Sequence, residues 1–248
     1  TNMDRLIADV SNSTMLTIMR DRWRDEIRTD ISMQMIHSEL PHNTYGGLIS
    51  SVFYCVAREQ GKTRVGNKNP DYWRCLDLIE STIPDRARYL HIVRDGRDVA
   101  MSNMKMKWGQ DNILSSAKTW RDCVGTTARF ADQVGPDRFL EIRYEDLLDK
   151  PDNTIASLAT FIGVEPPDNF RQSLDQKPKT TPKKGNHGKW ESELSSDEKR
   201  IYEAVAGDSL RRYGYNTVLD SPRIGLLENI TMSAGELWRK IKLNLWKT

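Results

Sequence analysis

"YLHIVRDGRDVAMSNMK", Tyr89 to Lys105, decides the fold. An apolar run ends at Arg94, an Arg-Asp-Gly-Arg-Asp knot follows, and the spacing then becomes helical. The run predicts a buried strand from about Arg88 to Arg94, with Asp95 as a plausible N-cap of a helix beginning near Asp95 or Gly96. Working outward, "SSAKTWRDCVGTTARFADQVG" predicts a helix that stops at Gly135 and Pro136. "DRFLEIRYEDLL" predicts a second strand, and a helix follows from Pro151 to Gly163. Strand and helix alternating in this way predict an α/β domain with a parallel sheet and helical crossovers.

On the N-terminal side, "DYWRCLDLIEST" carries Trp73, Leu76, Leu78 and Ile79 at positions suited to a helix face, and "TRVGNKNP" before it reads as a short β-like piece ending at Pro70. Residues 1–60 mix Met, Ile and Leu at helical spacing, broken by a loop at "LPHNTYGG", Leu40 to Gly47. On the C-terminal side, "DQKPKTTPKKGNHGKW" is a loop by composition, and Ser195 with Glu198 forms a capping box for the next helix. In residues 221–248, Ala234, Leu237, Trp238, Ile241 and Leu245 form an apolar stripe beside Arg239, Lys240 and Lys242. Such a helix suits an anionic membrane surface or a partner, although a stripe of this kind more often packs on its own domain. The expected organisation is one domain over 1–220 followed by this amphipathic basic helix.

The chain has 248 residues and net charge +2, so any anion site must be local and no nucleic-acid partner is expected. Cys55, Cys75 and Cys123 are odd in number and lack a C-x-x-C spacing, and they read as reduced core thiols. No acidic pair is placed to hold magnesium, and no metal is expected. No stretch approaches a membrane span or a signal peptide, so the expected compartment is the cytoplasm, or the Golgi lumen should an anchor precede Thr1. Asn12 and Asn229 fit the glycosylation triplet, which is too short a pattern to assign a compartment.

Ligands of parallel sheets collect at the carboxyl ends of the strands, where helix N-termini present free N–H groups. Arg94 stands at such a junction, able to grip a phosphate with its guanidinium, and Ser102 follows about two turns later. The alternative is that Arg94 and Arg97 pair with Asp95 and Asp98 on a solvated turn.

"IVRDGRDVAMS" resembles the 3′-phosphate-binding strand and helix of sulfotransferases that use 3′-phosphoadenosine 5′-phosphosulfate, which implies that Arg94 and Ser102 hold the 3′-phosphate. "KKGNHGKWE", Lys183 to Glu191, resembles the R-K-G-x-x-G-D-W-K loop of the same family, with Lys183 in place of Arg and Lys189 in place of Asp. The resemblance implies that Lys183, Lys184 and Gly185 close over that phosphate. Lys183 keeps the charge of Arg without its bidentate fork. Tyr144, in "RYEDLL", matches the family tyrosine beside the adenine, or is a core tyrosine on a strand. "GNKNP", Gly66 to Pro70, resembles the family stretch whose lysine faces the sulfuryl group, which makes Lys68 the catalytic candidate; its alternative is a simple turn.

The resemblance covers roughly Arg64 to Tyr215 and implies a P-loop NTPase-like three-layer α/β/α fold and transfer of a sulfuryl group to a hydroxyl or amine. The acceptor is then a carbohydrate, a lipid head group or a tyrosine peptide, bound beneath the first 60 residues. The family's glycine-rich loop for the 5′-phosphosulfate is not found before Tyr89, so that loop, the first strand and the general base are expected upstream of Thr1. His37, Glu39 and His42 cluster locally but are not assigned as the base. The rival function is a sulfotransferase-like domain that binds a nucleotide or partner without chemistry. A nucleotide kinase is disfavoured, because no G-x-x-x-x-G-K-[ST] is present.

Overall fold

The computed structural model describes residues 45–85, 87–106, 109–165 and 185–245, with Tyr45 and 236–245 described by backbone alone. The chain forms two compact units, Thr1–Ala87 and Arg88–Thr248.

In the first unit, helix α1 (Tyr45–Glu59) buries Leu48, Ser51 and Cys55 on one face. The glycine pair expected to close a loop lies inside this helix. Gly46 packs against the end of α2 (Leu76–Thr82), where an added Cβ would fall 1.9 Å from the Thr82 carbonyl oxygen. Its glycine therefore serves close backbone approach. "TRVGNKNP" is not a strand: it runs as exposed irregular backbone, and no strand among the described residues pairs with it. Its end is organised by an Asx-type turn in which Asn69 Oδ1 accepts from Asp71 N at 2.9 Å, leading into a 3₁₀ turn at Tyr72–Arg74.

The second unit is built on β1 (Tyr89–Val93) and β2 (Phe139–Arg143), paired in parallel with Tyr89 opposite Phe139 and Val93 opposite Arg143. The crossover between them consists of α3 (Gly96–Met104) and α4 (Ile113–Val134). Its boundaries follow from local chemistry. Asp95 caps α3 by accepting from Arg97 N, Asn112 caps α4 by accepting from Ser115 N, and Gly135 takes φ 79° after α4. β2 is shorter than the sequence pattern suggested, because α5 (Tyr144–Asp149) starts at once, with Glu145 and Asp146 in its first turn, where acidic groups favour a helix. Then come α6 (Pro151–Ile162), the short α7 (Trp190–Glu193), α8 (Ser196–Arg212) and α9 (Leu226–Leu245). The capping box at α8 forms in full: Ser195 Oγ accepts from Glu198 N and Glu198 Oε2 accepts from Ser195 N.

The core of this unit joins Val93, the inner faces of α3 and α4 (Met101, Leu114, Trp120), and Trp190, Tyr202 and Leu210. Gly96 lets α3 start against this core, since a Cβ there would lie 2.0 Å from Tyr202 Oη and 2.4 Å from the Trp120 ring. α9 packs on α4, where Asn112 Nδ2 donates to Met232 O and Lys118 Nζ donates to Asn229 Oδ1. Asn229 is thus part of a packing contact. Leu226, Leu227 and Ile230 are exposed, and the side chains of Leu237 to Leu245 lie outside the described residues. No described helix is long and apolar enough to cross a membrane.

Candidate functional site

The Arg-Asp-Gly-Arg-Asp knot sorts its charges by depth. Arg97 turns inward and is 1 % exposed. Its Nε and Nη2 donate to both oxygens of Asp95 at 3.1 and 2.8 Å, and its Nη1 donates to Glu203 Oε1 at 2.8 Å. The Trp190 ring lies 3.4 Å from the guanidinium carbon. Glu203 also accepts from the amides of Val218 and Leu219. A guanidinium so buried is sustained only by such complete pairing. Arg97 thus pairs with Asp95 as the alternative reading has it, but in the interior and not on a solvated turn.

Arg94, the first residue after β1, points the other way and is partly exposed. Its Nη2 donates to Asn186 O at 3.0 Å and lies 3.6 Å from Asp98 Oδ2. Its guanidinium carbon stands 4.8 Å from the centre of the Tyr144 ring. Arg94 Nε is shut away from solvent and has no acceptor among the described residues. A buried donor without an acceptor costs about 1–3 kcal/mol, so a further acceptor at Nε would be favourable.

The stretch Gly185–Lys189 meets these groups. Gly185 and Gly188 both have φ 72°, a backbone state that glycine adopts without strain, and each has open space where a Cβ would stand. Asp98, at the start of α3, accepts from Gly188 N at 2.7 Å and from Trp190 N at 3.1 Å. Asn186 Nδ2 donates to Tyr144 Oη at 3.2 Å. Arg94, Tyr144 and Gly185–Gly188, read from three separate stretches of sequence, thus meet in one place. Tyr144 is the first residue of a helix, partly buried under Arg94, and is not a core strand residue.

Below this surface, Glu145 accepts from Asp95 N at 3.0 Å and from Tyr215 Oη at 2.9 Å. Burial first, and the charge of Glu145 second, push the Tyr215 phenol far above its ordinary range, which keeps it a donor. Ser102 is exposed on α3. Lys183 and Lys184 lie outside the described residues, as do His37, Glu39, His42 and Asn12. Lys68 belongs to the first unit, on the exposed segment before the Asn69 turn. Sequence reasoning named Asp98 only as an ion-pair partner for the arginines of the knot and did not single out Asn186 or Glu145, although all three lie inside the motifs quoted for their basic and aromatic members.

The family model described as "Sulfotransferase family" matches residues 3–168, a span that takes in Lys68, Arg94, Ser102 and Tyr144. Nodulation protein NoeE of Sinorhizobium fredii (strain NBRC 101917 / NGR234) is 24% identical over 239 residues, covering 80% of this chain. The chain spans 57% of the length of that relative. Among solved structures, the sulfotransferase domain from the curacin biosynthetic pathway is 18% identical with a TM-score of 0.49, over 86% of this chain and 78% of its own. The sulfotransferase domain from the Synechococcus PCC 7002 olefin synthase is 19% identical with a TM-score of 0.48, over 80% of this chain and 81% of its own.

Proposed function

Because the chain belongs to the sulfotransferase family, we propose that it moves a sulfuryl group from 3′-phosphoadenosine 5′-phosphosulfate to a hydroxyl or amine acceptor. The support is the junction at the carboxyl end of β1, where Arg94 carries a buried Nε with no acceptor among the described residues, beside a glycine loop and an aromatic ring. These groups fit the 3′-phosphate end of the donor. Arg94 and Ser102 would hold that phosphate, with Lys183, Lys184 and Gly185 closing over it, and Tyr144 would lie beside the adenine.

Sulfuryl transfer builds negative charge on the oxygen that bridges to the departing phosphate, and a fixed ammonium there lowers the barrier. Lys68 is proposed for this task. A general base must also take the proton of the acceptor. A carbohydrate, a lipid head group and a tyrosine peptide all present a suitable hydroxyl.

The test is calorimetric titration of the full-length protein with adenosine 3′,5′-bisphosphate. Arg94→Ala is expected to weaken binding by at least ~2 kcal/mol, the loss of a charge-assisted hydrogen bond. Unchanged affinity removes Arg94 from the donor site.

A further inference from the structure

We propose that Asp98 is a positioning residue for donor binding: its carboxylate locks the Gly185–Trp190 stretch and Arg94 into one rigid site. The proposal rests on the donor-binding role given above to Arg94.

Three groups converge on this one side chain, which is 1 % exposed. Oδ2 takes the amide of Gly188 at 2.7 Å, Oδ1 takes the amide of Trp190 at 3.1 Å, and Arg94 Nη2 lies 3.6 Å from Oδ2. Burying a carboxylate is costly unless its lone pairs and charge are met, and here two backbone donors and a cation meet them. Asp98 therefore consumes amides that could otherwise face a ligand, and fixes the loop in exchange. Gly188, held by its N–H, sits at φ 72°. Trp190, held likewise, lays its ring on the buried Arg97, so this end of the loop is fastened to the core. Asn186, two residues before Gly188, accepts through its carbonyl from Arg94 Nη2 at 3.0 Å. The guanidinium is thereby held on its Nη2 side by the loop and Asp98, while Nε keeps no acceptor among the described residues. Asp98 touches no ligand in this scheme. It sets the direction of the arginine and the path of the loop.

Asp98→Asn is the informative change. An amide side chain can accept from one of the two backbone N–H groups, but its NH₂ would oppose the other, donor against donor. In the full-length protein, Asp98→Asn is expected to raise the Kd for adenosine 3′,5′-bisphosphate about tenfold or more, as for lost hydrogen bonds to a charged group. The Kd for adenosine 5′-phosphate, which lacks the 3′ group, is expected to stay within about twofold of the wild type. Equal losses for both nucleotides, or no loss for either, overturn the proposal, because a residue that only supports the fold cannot select between them. A wild type that binds the two nucleotides equally well overturns the donor-site assignment itself, and with it this one. A measurement on the unmutated protein covers the case in which the variant fails to fold. The amides of Gly188 and Trp190 are expected to exchange with solvent deuterium much more slowly than that of Val65, on exposed irregular backbone, without nucleotide. Comparable exchange rates would sink the proposal.

Discussion

The two arginines of the knot differ in what they hold, and replacing each in turn separates the roles. Arg97→Met keeps aliphatic bulk beside Trp190 and removes three charge-assisted hydrogen bonds at 3.1, 2.8 and 2.8 Å. Its acidic partners stay buried: the side chain of Asp95 is 8% exposed and that of Glu203 is 0% exposed. Asp95 retains the Arg97 amide and Glu203 retains the amides of Val218 and Leu219, but neither keeps its counter-charge. Removing one member of a buried ion pair costs about 3–5 kcal/mol. Against a total stability on the order of 5–15 kcal/mol, this is a large share. Arg94→Ala removes one hydrogen bond to a carbonyl and the 3.6 Å ion pair with Asp98, which keeps its two backbone donors, from a side chain that is 23% exposed, and is expected to cost about 1–2 kcal/mol. Urea unfolding followed by far-ultraviolet circular dichroism measures both, with an unchanged m-value showing that the same surface is exposed. An Arg97→Met variant that loses less than about 1 kcal/mol, or no more than Arg94→Ala, refutes the buried-network account.

Lys68→Ala is expected to slow sulfuryl transfer on the order of a hundredfold while leaving the affinity for adenosine 3′,5′-bisphosphate unchanged, measured by single-turnover kinetics with labelled donor. A parallel loss of affinity would make Lys68 a binding group instead. Tyr215 gives a pH signature. Its folded-state pKa lies above the ordinary 10.0, so its contribution is whole below about pH 10 and is lost as pH rises further. Tyr215→Phe is expected to cost about 1–2 kcal/mol at pH 8 through loss of the bond to Glu145, with the gap to the wild type narrowing above pH 10. Denaturation series at pH 8 and 11 decide this, and a constant gap counts against it. Tyr213, pushed up to about 12 by burial first and the nearby Glu141 second, acts in the same direction and is common to both proteins.

What the sequence made legible is what neighbouring residues determine. The N-cap at Asp95, the capping box of Ser195 and Glu198, and the stops at Gly135 and Gly163 needed only partners a few residues away. The parallel pairing followed from alternation. "TRVGNKNP" misled because β-type composition makes a strand only where another strand pairs with it, and among the described residues none does. The end of β2 was overrun because "RYEDLL" is apolar enough for a strand, while Glu145 is drawn down to Asp95 N, fifty residues away. The division of labour between Arg94 and Arg97 was hidden for a similar reason. Two arginines three positions apart look equivalent until Glu203, 106 residues on, claims one of them. The part played by Asp98 depends on amides 90 and 92 residues distant. Meeting of the motifs could be anticipated, but not the carboxylate that joins them.

The pairing of Arg97 with Glu203 has a consequence for recombining this chain with its relatives. A chimera whose crossover falls between residues 105 and 185 takes the two ends of that pair from different parents, and a mismatch strands a charge in the interior. The links from Asp98 to Gly188 and Trp190 and from Glu203 to Val218 and Leu219 end on main-chain N–H groups, which any parent supplies except at proline. Viable hybrids should therefore be sorted by the residues at 97 and 203 taken together, far more than by the length of either donated fragment.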